Sequence, residues 1–277
     1  MSTLAAMTSS GLLQHRIKMP ASTSTPGIYP YNRRYIDIVQ HNPQTDEPFI
    51  ALPAPYSNIR LTPPRLSDAD HVLEVMNAPK VIMNFATPPY PYLREHCDGW
   101  LRDKIQEYES AMVHITKVNE DVGFLDLLPL RHIREVGPDG AEIFLGDIGL
   151  IRENGFCDIR DEEARAAKVN TNLNLRLGDP NIVWTFGDYL CPSHHGRGIM
   201  TAVVKAVIDL WAIPHMNAYR FWAATFPENV GSQKVFLKNG FQIVDRVVGA
   251  VQFPESKGGH IKDSVILRRD IPVPKLS

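Results

Sequence analysis

The sequence predicts an α+β fold, in which a mixed and mostly antiparallel sheet is flanked by helices. Alternating apolar segments typical of strands interrupt longer segments whose apolar residues recur at steps of three and four, as in amphipathic helices. In the middle of the chain three strand-like segments follow one another, which favours antiparallel pairing. A length of 277 residues with 44% hydrophobic and 22% charged side chains is ordinary for a globular protein with a large core.

The first 57 residues are predicted to form a poorly structured leader, and residues 58–277 a single domain. The leader is rich in Pro, Ser, Thr and Tyr and shows no sustained periodicity. Its first acidic residue is Asp37, and the basic residues and hydroxyls before it weakly resemble a mitochondrial presequence. An uncleaved, disordered polar tail is the favoured interpretation, because prolines cluster among the Ser and Thr residues without a long amphipathic pattern.

The predicted domain opens with a strand and a helix. Residues 59–62 alternate as a short strand, and the segment 67–70 then offers a capping hydroxyl with an acid three residues later. A second helix is predicted within residues 92–108, where apolar side chains recur on one face and make Cys97 a core residue rather than a reactive thiol.

Three strands are predicted next, at residues 112–118, 122–128 and 143–151, with a turn at 137–140. Residues 152–181 are charged and rich in Asn. Their EEARAAK segment could form one or two helical turns, but it has little apolar face. We expect residues 152–181 to be an insertion loop, which at this length is either mobile or functional.

The remainder of the chain alternates between strands and helices. Strands are predicted at 182–190, 219–225, 241–252 and 261–269, and helices at 199–212 and 230–238. Pro214 ends the first of these helices, and the Asn239-Gly240 pair ends the second.

Charge and cysteine content exclude several classes of protein. Twenty-nine Lys and Arg against 31 Asp and Glu give a net charge of -2, so no whole-molecule field attracts nucleic acid or an anionic membrane. No apolar run approaches the length of about 18 residues that suggests a membrane span. The three cysteines form no CxxC pair, which favours a reducing compartment, and we expect a cytoplasmic protein. His194 and His195 are adjacent rather than four apart, so no metal site is expected.

The segment between the 182–190 strand and the 199–212 helix has the character of an anion-binding loop. Gly196 and Gly198 flank Arg197 there, and glycines allow the backbone to come close to a ligand. The amides at the start of the following helix, with the positive end of its dipole, would then point at a phosphate. The spacing does not match the dinucleotide fingerprint, because no third glycine follows.

A second segment downstream, Glu228-Asn229-Val230-Gly231-Ser232-Gln233-Lys234-Val235-Phe236-Leu237-Lys238-Asn239-Gly240-Phe241, makes the first more specific. Together, in this order, the two segments resemble the GNAT superfamily of acyl-CoA-dependent N-acyltransferases, in particular the branch of ribosomal-protein N-terminal acetyltransferases. The resemblance covers roughly residues 58–270, apart from the insertion.

The resemblance implies a sheet that is splayed between its fourth and fifth strands, here 182–190 and 219–225, with acetyl-CoA as co-substrate in the gap. It implies that the main chain of Leu190 and Cys191 pairs with the pantetheine arm and that the 195–201 amides hold the pyrophosphate. The co-substrate-binding residues so implied are Leu190, Cys191, His195, Gly196, Arg197, Gly198, Ile199, Met200, Thr201 and Asn229. The Arg197 side chain is either a co-substrate contact or a solvated charge at a helix start.

The candidate catalytic residues are Ser232 and Asp188. Many members of the superfamily place a Tyr seven residues after the Asn to protonate the thiolate, and this chain has Phe236 there, which carries no proton to give. The related branch has a serine three residues after the Asn, the position of Ser232, which otherwise makes only a local helix bond. Asp188 stands late in the splayed strand and is either a general base with a raised pKa or the partner of an arginine.

These observations predict transfer of an acetyl group from acetyl-CoA to a primary amine in a ternary complex, by a monomer or homodimer. The acceptor is a small molecule or a protein N-terminus, and the sequence does not choose between them. Two alternatives stay open at this point: an acyl-enzyme formed on Cys191, and a catalytically degenerate module that binds acyl-CoA or another protein.

Overall fold

A computed structural model of the chain describes residues 31–118 and 120–274. Within this part, nine strands form one sheet: β1 Gln40–Asn42, β2 Glu47–Ala51, β3 Ile59–Thr62, β4 His132–Val136, β5 Glu142–Arg152, β6 Val183–Leu190, β7 Arg220–Thr225, β8 Gln242–Gln252 and β9 Ile261–Asp270. The strand order is β1-β2-β3-β4-β5-β6-β7-β9-β8, and every neighbouring pair is antiparallel except β6 and β7. The predicted mixed, mostly antiparallel sheet is therefore confirmed.

Helices cover both faces of the sheet. They are α1 Ala69–Asn77, α2 Pro79–Ile82, α3 Arg94–Ile115, α4 Glu162–Asn174, α5 Ile199–Ala206, which continues as a π-helix over Val207–Met216, and α6 Val230–Lys238. On one face α1, α2 and the start of α3 bury their apolar sides against Phe144 and Tyr189. On the other face α5 and its π-helical extension pack against Leu145 and Leu190. Strand β6 therefore lies between two apolar layers.

Residues 31–57 differ from the predicted leader, because they form part of the sheet and of the core. Strand β2 pairs with β3, and β1 extends the sheet by one more strand. Tyr35 is fully buried and stacks on Trp211 with ring centroids 5.8 Å apart. Strands of three and five residues are too short to show a period, which is why the sequence did not indicate them. The rest of the predicted leader lies outside the described residues.

The middle of the chain also departs from the prediction. Helix α3 continues to Ile115, which is buried with Ala111 four residues before it, so 112–115 is not a strand. Residues 122–128 form no strand and are held by the π-helix, where Trp211 Nε1 donates to the Leu127 carbonyl at 3.0 Å. Strand β4 was not anticipated, because its buried residues include the polar His132 and Arg134.

The predicted insertion loop contains a full helix, α4. The Asp161 carboxylate caps it by accepting from the Ala164 amide at 2.7 Å. Asn172 fixes the helix to the sheet, since its side chain accepts from the Val183 amide and donates to the Glu153 carbonyl. The lack of an apolar stripe argued against a helix in this segment. The helix packs without one because the buried Asn172 side chain anchors it.

Among the described residues, one helical segment, Ile199–Met216, is long and apolar enough to cross a membrane. Sixty-one per cent of it is buried inside the protein, and a core helix meets the same criteria of length and composition. Its apolar character is accounted for by the sheet face that it covers.

A buried ionic cluster joins the start of α1 to β4. The Asp68 carboxylate accepts from Arg134 at 2.7 Å and lies 2.7 Å from His132 Nδ1. Although burial opposes ionisation, the hydrogen bond with His132 and the charge of Arg134 lower the pKa of Asp68 to about 2. The cluster thus stabilises the fold only while Asp68 is ionised.

Acid should therefore weaken the protein through Asp68. Because the pKa of Asp68 in the folded protein lies below the ordinary value of an Asp side chain, we expect a stabilisation of about 2 kcal/mol that is complete above pH 5 and lost as the pH falls towards 2. Denaturant unfolding between pH 5 and 2 measures it, comparing Asp68→Asn with Asp70→Asn, whose exposed carboxylate pairs with Arg94. An equal pH dependence in wild type and Asp68→Asn would contradict this assignment.

Candidate active site

The parallel strands β6 and β7 pair only at their beginnings. The paired residues are Val183 with Arg220, Trp184 with Phe221, and Thr185 with Trp222. Beyond Thr185 β6 continues to Leu190 with its other edge still paired to β5. The two strands therefore diverge as predicted, and counting from β3 they are the fourth and fifth strands of the sheet.

A cleft of about 400 Å³, the large cleft, opens where β6 leaves β7. Its walls come from the end of β6, the start of α5, the first turns of α6 and the α2 region. The predicted residues that line it are Asp188, Leu190, His195, Gly196, Gly198, Ile199, Met200, Thr201, Asn229 and Ser232. Two segments that are separated in sequence by residues 202–228 thus meet at one cavity.

The glycine loop, residues 194–201, has the backbone that an anion site requires. Gly196 and Gly198 have φ angles of 78° and 79°, in the left-handed region that favours glycine. The first amides of α5 have no partner within the helix, since helix geometry leaves the first turn unpaired. Their N–H groups and the positive end of the helix dipole are available to a negatively charged ligand.

Gly198 also packs closely against the segment before β3. A side chain at Gly198 would bring its Cβ within 2.4 Å of the Tyr56 hydroxyl, which donates to the Arg197 carbonyl at 3.0 Å. At Gly196 an added Cβ would meet nothing within 4 Å. Tyr56 was missed by sequence reasoning, because it belongs to the stretch taken as leader.

Two predicted co-substrate-binding residues lie outside the lining of the large cleft. The Arg197 guanidinium pairs with Glu135 on β4 at 2.5 Å. The Cys191 amide donates to the Leu145 carbonyl at 2.6 Å and so faces β5 rather than the gap. At Leu190 the carbonyl accepts from His195 Nε2 at 2.8 Å, while ladder alternation turns the Leu190 amide towards the gap. Of the main-chain groups predicted to pair with the pantetheine arm, the Leu190 amide has the required direction.

The large cleft carries a positive rim that the prediction did not include. Lys80 of α2 and Lys234 and Lys238 of α6 line it, and within the described residues none of the three has an ion-pair partner. Lys234 and Lys238 are four apart on one helix, a spacing that was readable as a basic face. Lys80 comes from a distant part of the chain and had no local signal.

A second cleft of about 280 Å³, the small cleft, adjoins the first on the side of β7 and β9. Residues shared by both clefts are Asn84, Phe85, Asp188, Asn229 and Ser232. The two candidate catalytic residues therefore stand at the junction of two separate binding spaces, an arrangement suited to a reaction between two substrates.

The environment of Asp188 disfavours a charged carboxylate. Burial raises its pKa to about 7, and the negative charge of nearby Asp147 contributes in the same direction. No side chain in residues 31–118 or 120–274 forms a hydrogen bond or ion pair with it, whereas Asp147 is paired with Arg131 at 2.7 Å. Asp188 thus has no arginine partner in this part of the chain, and its pKa suits a general base near neutral pH.

Asn229 and Ser232 are positioned by the start of α6. The Asn229 side chain caps the helix by accepting from the Ser232 amide at 3.2 Å. The Ser232 hydroxyl is not used in this bond, and Ser232 lines both clefts. Phe236 is buried against Phe186 and Phe241, so it has a packing role at the position where the resemblance predicts a tyrosine.

The alternative nucleophile, Cys191, lacks direct contact with a base. Its Sγ lies 3.1 Å from Ser193 Oγ, which in turn lies 2.9 Å from His194 Nδ1. An imidazole that activates a thiol contacts the sulfur itself, so this arrangement gives no support to an acyl-enzyme. Within the described residues no group of three or more His, Cys, Asp or Glu is arranged to hold a metal ion.

Comparisons with known proteins agree with this geometry. The family model described as acetyltransferase (GNAT) domain matches residues 58–242. The probable N-acetyltransferase YjcK of Bacillus subtilis (strain 168) is 40% identical over 55 residues, which are 20% of this chain. The match spans only 30% of that relative's length.

Solved structures share the fold at low sequence identity. The ribosomal L7/L12 α-N-protein acetyltransferase RimL superposes with a TM-score of 0.53 at 13% identity, covering 84% of this chain and 99% of RimL. The microcin C7 self-immunity acetyltransferase MccE, solved with acetyl-CoA and AMP, superposes with a TM-score of 0.50 at 15% identity, covering 78% of this chain and 93% of MccE. A GNAT-family acetyltransferase from Bacillus anthracis superposes with a TM-score of 0.52 at 13% identity, covering 80% of this chain and 98% of that protein.

Proposed function

Because the chain belongs to the acetyltransferase (GNAT) domain family, we propose that it transfers an acetyl group from acetyl-CoA to a primary amine by direct attack in a ternary complex. One observation carries this proposal. Asp188 and Ser232 stand where two clefts meet, one lined by an anion-binding loop and the other by uncharged side chains apart from Asp188. Each substrate then has its own space, and the reacting atoms meet between them.

The large cleft fits acetyl-CoA by its chemistry. Amides at the glycine loop and the lysine rim match a diphosphate, and the Leu190 amide is directed at the gap where the pantetheine arm would lie. Arg197 remains tied to Glu135, so we assign the charge complementarity to Lys80, Lys234 and Lys238 instead.

In the proposed reaction the amine nitrogen bonds to the thioester carbonyl carbon, the C–S bond breaks, and an amide and a free thiol result. An amine attacks only in its neutral form, so a group must accept its proton, and Asp188 is placed to do so. The Ser232 hydroxyl gives a proton to the leaving sulfur. Proton exchange with water then restores Asp188 and Ser232.

Thiol release from acetyl-CoA with a mixed amine library, followed by mass measurement of the products, tests the proposal. We expect products heavier than their amines by one acetyl group. Acetyl-CoA binding by calorimetry without turnover of any amine would favour a binding module. Phe236 is the observation behind this alternative, because it has no proton to give to the leaving thiolate. Acetyl trapped on Cys191 with ping-pong kinetics would replace the direct transfer by an acyl-enzyme.

The Ser232→Ala variant separates turnover from binding. We expect kcat to fall at least about tenfold, because a leaving thiolate without a proton donor is expelled more slowly. The Asn229 cap uses the Ser232 main chain, so helix α6 and acetyl-CoA affinity should be preserved. Stopped assays of thiol release and calorimetry measure the two quantities, and a normal kcat would remove Ser232 from the mechanism.

Cysteine usage also supports a proposed cytoplasmic location. Cys97, Cys157 and Cys191 are all unbridged, as expected in a reducing compartment. Fractionation of cells that express the full chain tests this, and recovery in an organelle would contradict it.

A further inference from the structure

The small cleft is lined in a way that selects among amines. Its walls include the rings of Phe85, Phe186, Phe226 and Phe236. Within the described residues no lysine or arginine lines it, and Asp188 is the one ionisable side chain that does. The cleft therefore offers apolar contact to a ligand and has no cation to pair with an anionic group.

Two lysines near the cleft are already engaged outside it. Lys257 is buried and donates to the Phe85 carbonyl at 2.7 Å, which fixes the loop carrying Asn84 and Phe85. Lys262 pairs with Glu228 and lies over the ring of Phe226 at 4.6 Å. Neither ammonium group is available to neutralise a substrate carboxylate without breaking a contact that shapes the cleft.

The polar atoms that the small cleft presents are mostly neutral. Thr225 is 7% exposed, and its Oγ1 has no hydrogen-bond partner in the described residues. Thr225, at the end of β7, and Asn84 both line the cleft. An unpaired buried hydroxyl is costly unless a ligand or water satisfies it, which points to an uncharged hydrogen-bonding group there.

A carboxylate next to the reacting amine would be placed badly in this cleft. It would lose its hydration without gaining a cation, and it would lie close to Asp188, which must be ionised to accept a proton. Resting on the proposed acetyl transfer, we propose that the acceptor is a small primary amine with an apolar body and no carboxylate or phosphate beside the amine. A volume of about 280 Å³ suits a small molecule rather than a long chain.

Matched pairs of amines that differ by one carboxylate test this selectivity. With the full-length protein at saturating acetyl-CoA, thiol release is compared for 2-phenylethylamine against phenylalanine and for 3-methylbutylamine against leucine. We expect kcat/KM to be at least about tenfold higher for the member without the carboxylate. That member is the stronger base and has less neutral amine at a given pH, so basicity works against the expected result.

A variant with an added cation provides the complementary test. Ala224 is exposed and lines the small cleft. Ala224→Lys should therefore raise kcat/KM for phenylalanine, and the ratio of kcat/KM for 2-phenylethylamine to that for phenylalanine should fall at least about threefold. Val248→Lys, at a position on β8 that is 75% exposed and lines neither cleft, should leave the ratio unchanged.

The outcomes separate the selectivity from the reaction itself. Thiol release with equal or better use of phenylalanine would keep the acetyl transfer and overturn the proposed acceptor class. A higher kcat/KM for a peptide amide that begins with phenylalanine than for 2-phenylethylamine would also overturn the small-amine assignment. Absence of acetyl-CoA binding by calorimetry would overturn the proposed function, and the acceptor proposal with it.

Discussion

Replacing Asp188 by asparagine should lower kcat/KM for the amine at least about 100-fold, because the isosteric amide cannot accept the amine proton. Asp188 lies at the junction of the clefts, and among the described residues it is the one ionisable side chain shared by both. Acetyl-CoA affinity should change little, as the glycine loop and the lysine rim are untouched.

The pH dependence of the wild-type reaction gives the same residue a second test. With its pKa raised to about 7, Asp188 is largely protonated below neutral pH and cannot act as a base. Calculated per concentration of neutral amine, kcat/KM should therefore rise with pH through about 7, and below that pH it should fall about tenfold per pH unit.

Controls distinguish a lost base from a damaged fold. In Asp188→Asn this acid limb should disappear together with most of the rate. Asp245→Asn, a change at a carboxylate on β8 that lines neither cleft, should keep both rate and profile. A wild-type rate in Asp188→Asn, or an unchanged acid limb, would exclude Asp188 as the base.

Replacing Gly196 by aspartate should weaken acetyl-CoA binding about 100-fold, because a carboxylate enters the loop that is assigned to the diphosphate. Gly196 is a better position for this test than Gly198, where any side chain would collide with the Tyr56 hydroxyl. At Gly196 an added Cβ meets open space, and the φ of 78° is one that Asp and Asn tolerate better than other residues.

Gly196→Asn is the matched control for this charge. It imposes the same backbone strain and nearly the same volume without the negative charge, so it should weaken binding much less than the aspartate does. Calorimetry with acetyl-CoA measures both variants, and thermal unfolding checks that they are folded. Equal affinities for Asp and Asn variants would show that charge at this loop is irrelevant and would reject the diphosphate assignment.

Local features made much of the site predictable. A loop that needs glycines at positive φ, as at Gly196 and Gly198, announces itself in sequence because few other residues adopt that backbone. The Asn229 cap and the helix after it are likewise local, since cap and amide are three residues apart. Strands β6 and β7, which border the gap, could each be found from their own apolar patterns. Whether Ser232 and Asp188 catalyse the reaction stays a prediction.

Errors occurred where distant contacts override local preference. Residues 112–115 are rich in β-forming side chains but continue α3, because Ile115 is buried in the core. Strand β4 was hidden by the polar side chains of His132 and Arg134, both of which contact the Asp68 carboxylate from another element. The stretch before residue 58 gained two strands because β3 offered an edge to pair with.

The sequence by itself determined the fold class and the glycine loop, because these depend on periodicity and on backbone conformations set by neighbouring residues. The diverging strand pair was predicted from the family resemblance. Only the tertiary structure decided that Arg197 turns to Glu135, that Lys80 joins the rim and that Asp188 has no cationic partner among the described residues. Burial and charge pairing depend on groups brought together from distant parts of the chain, and no local pattern records which groups those are.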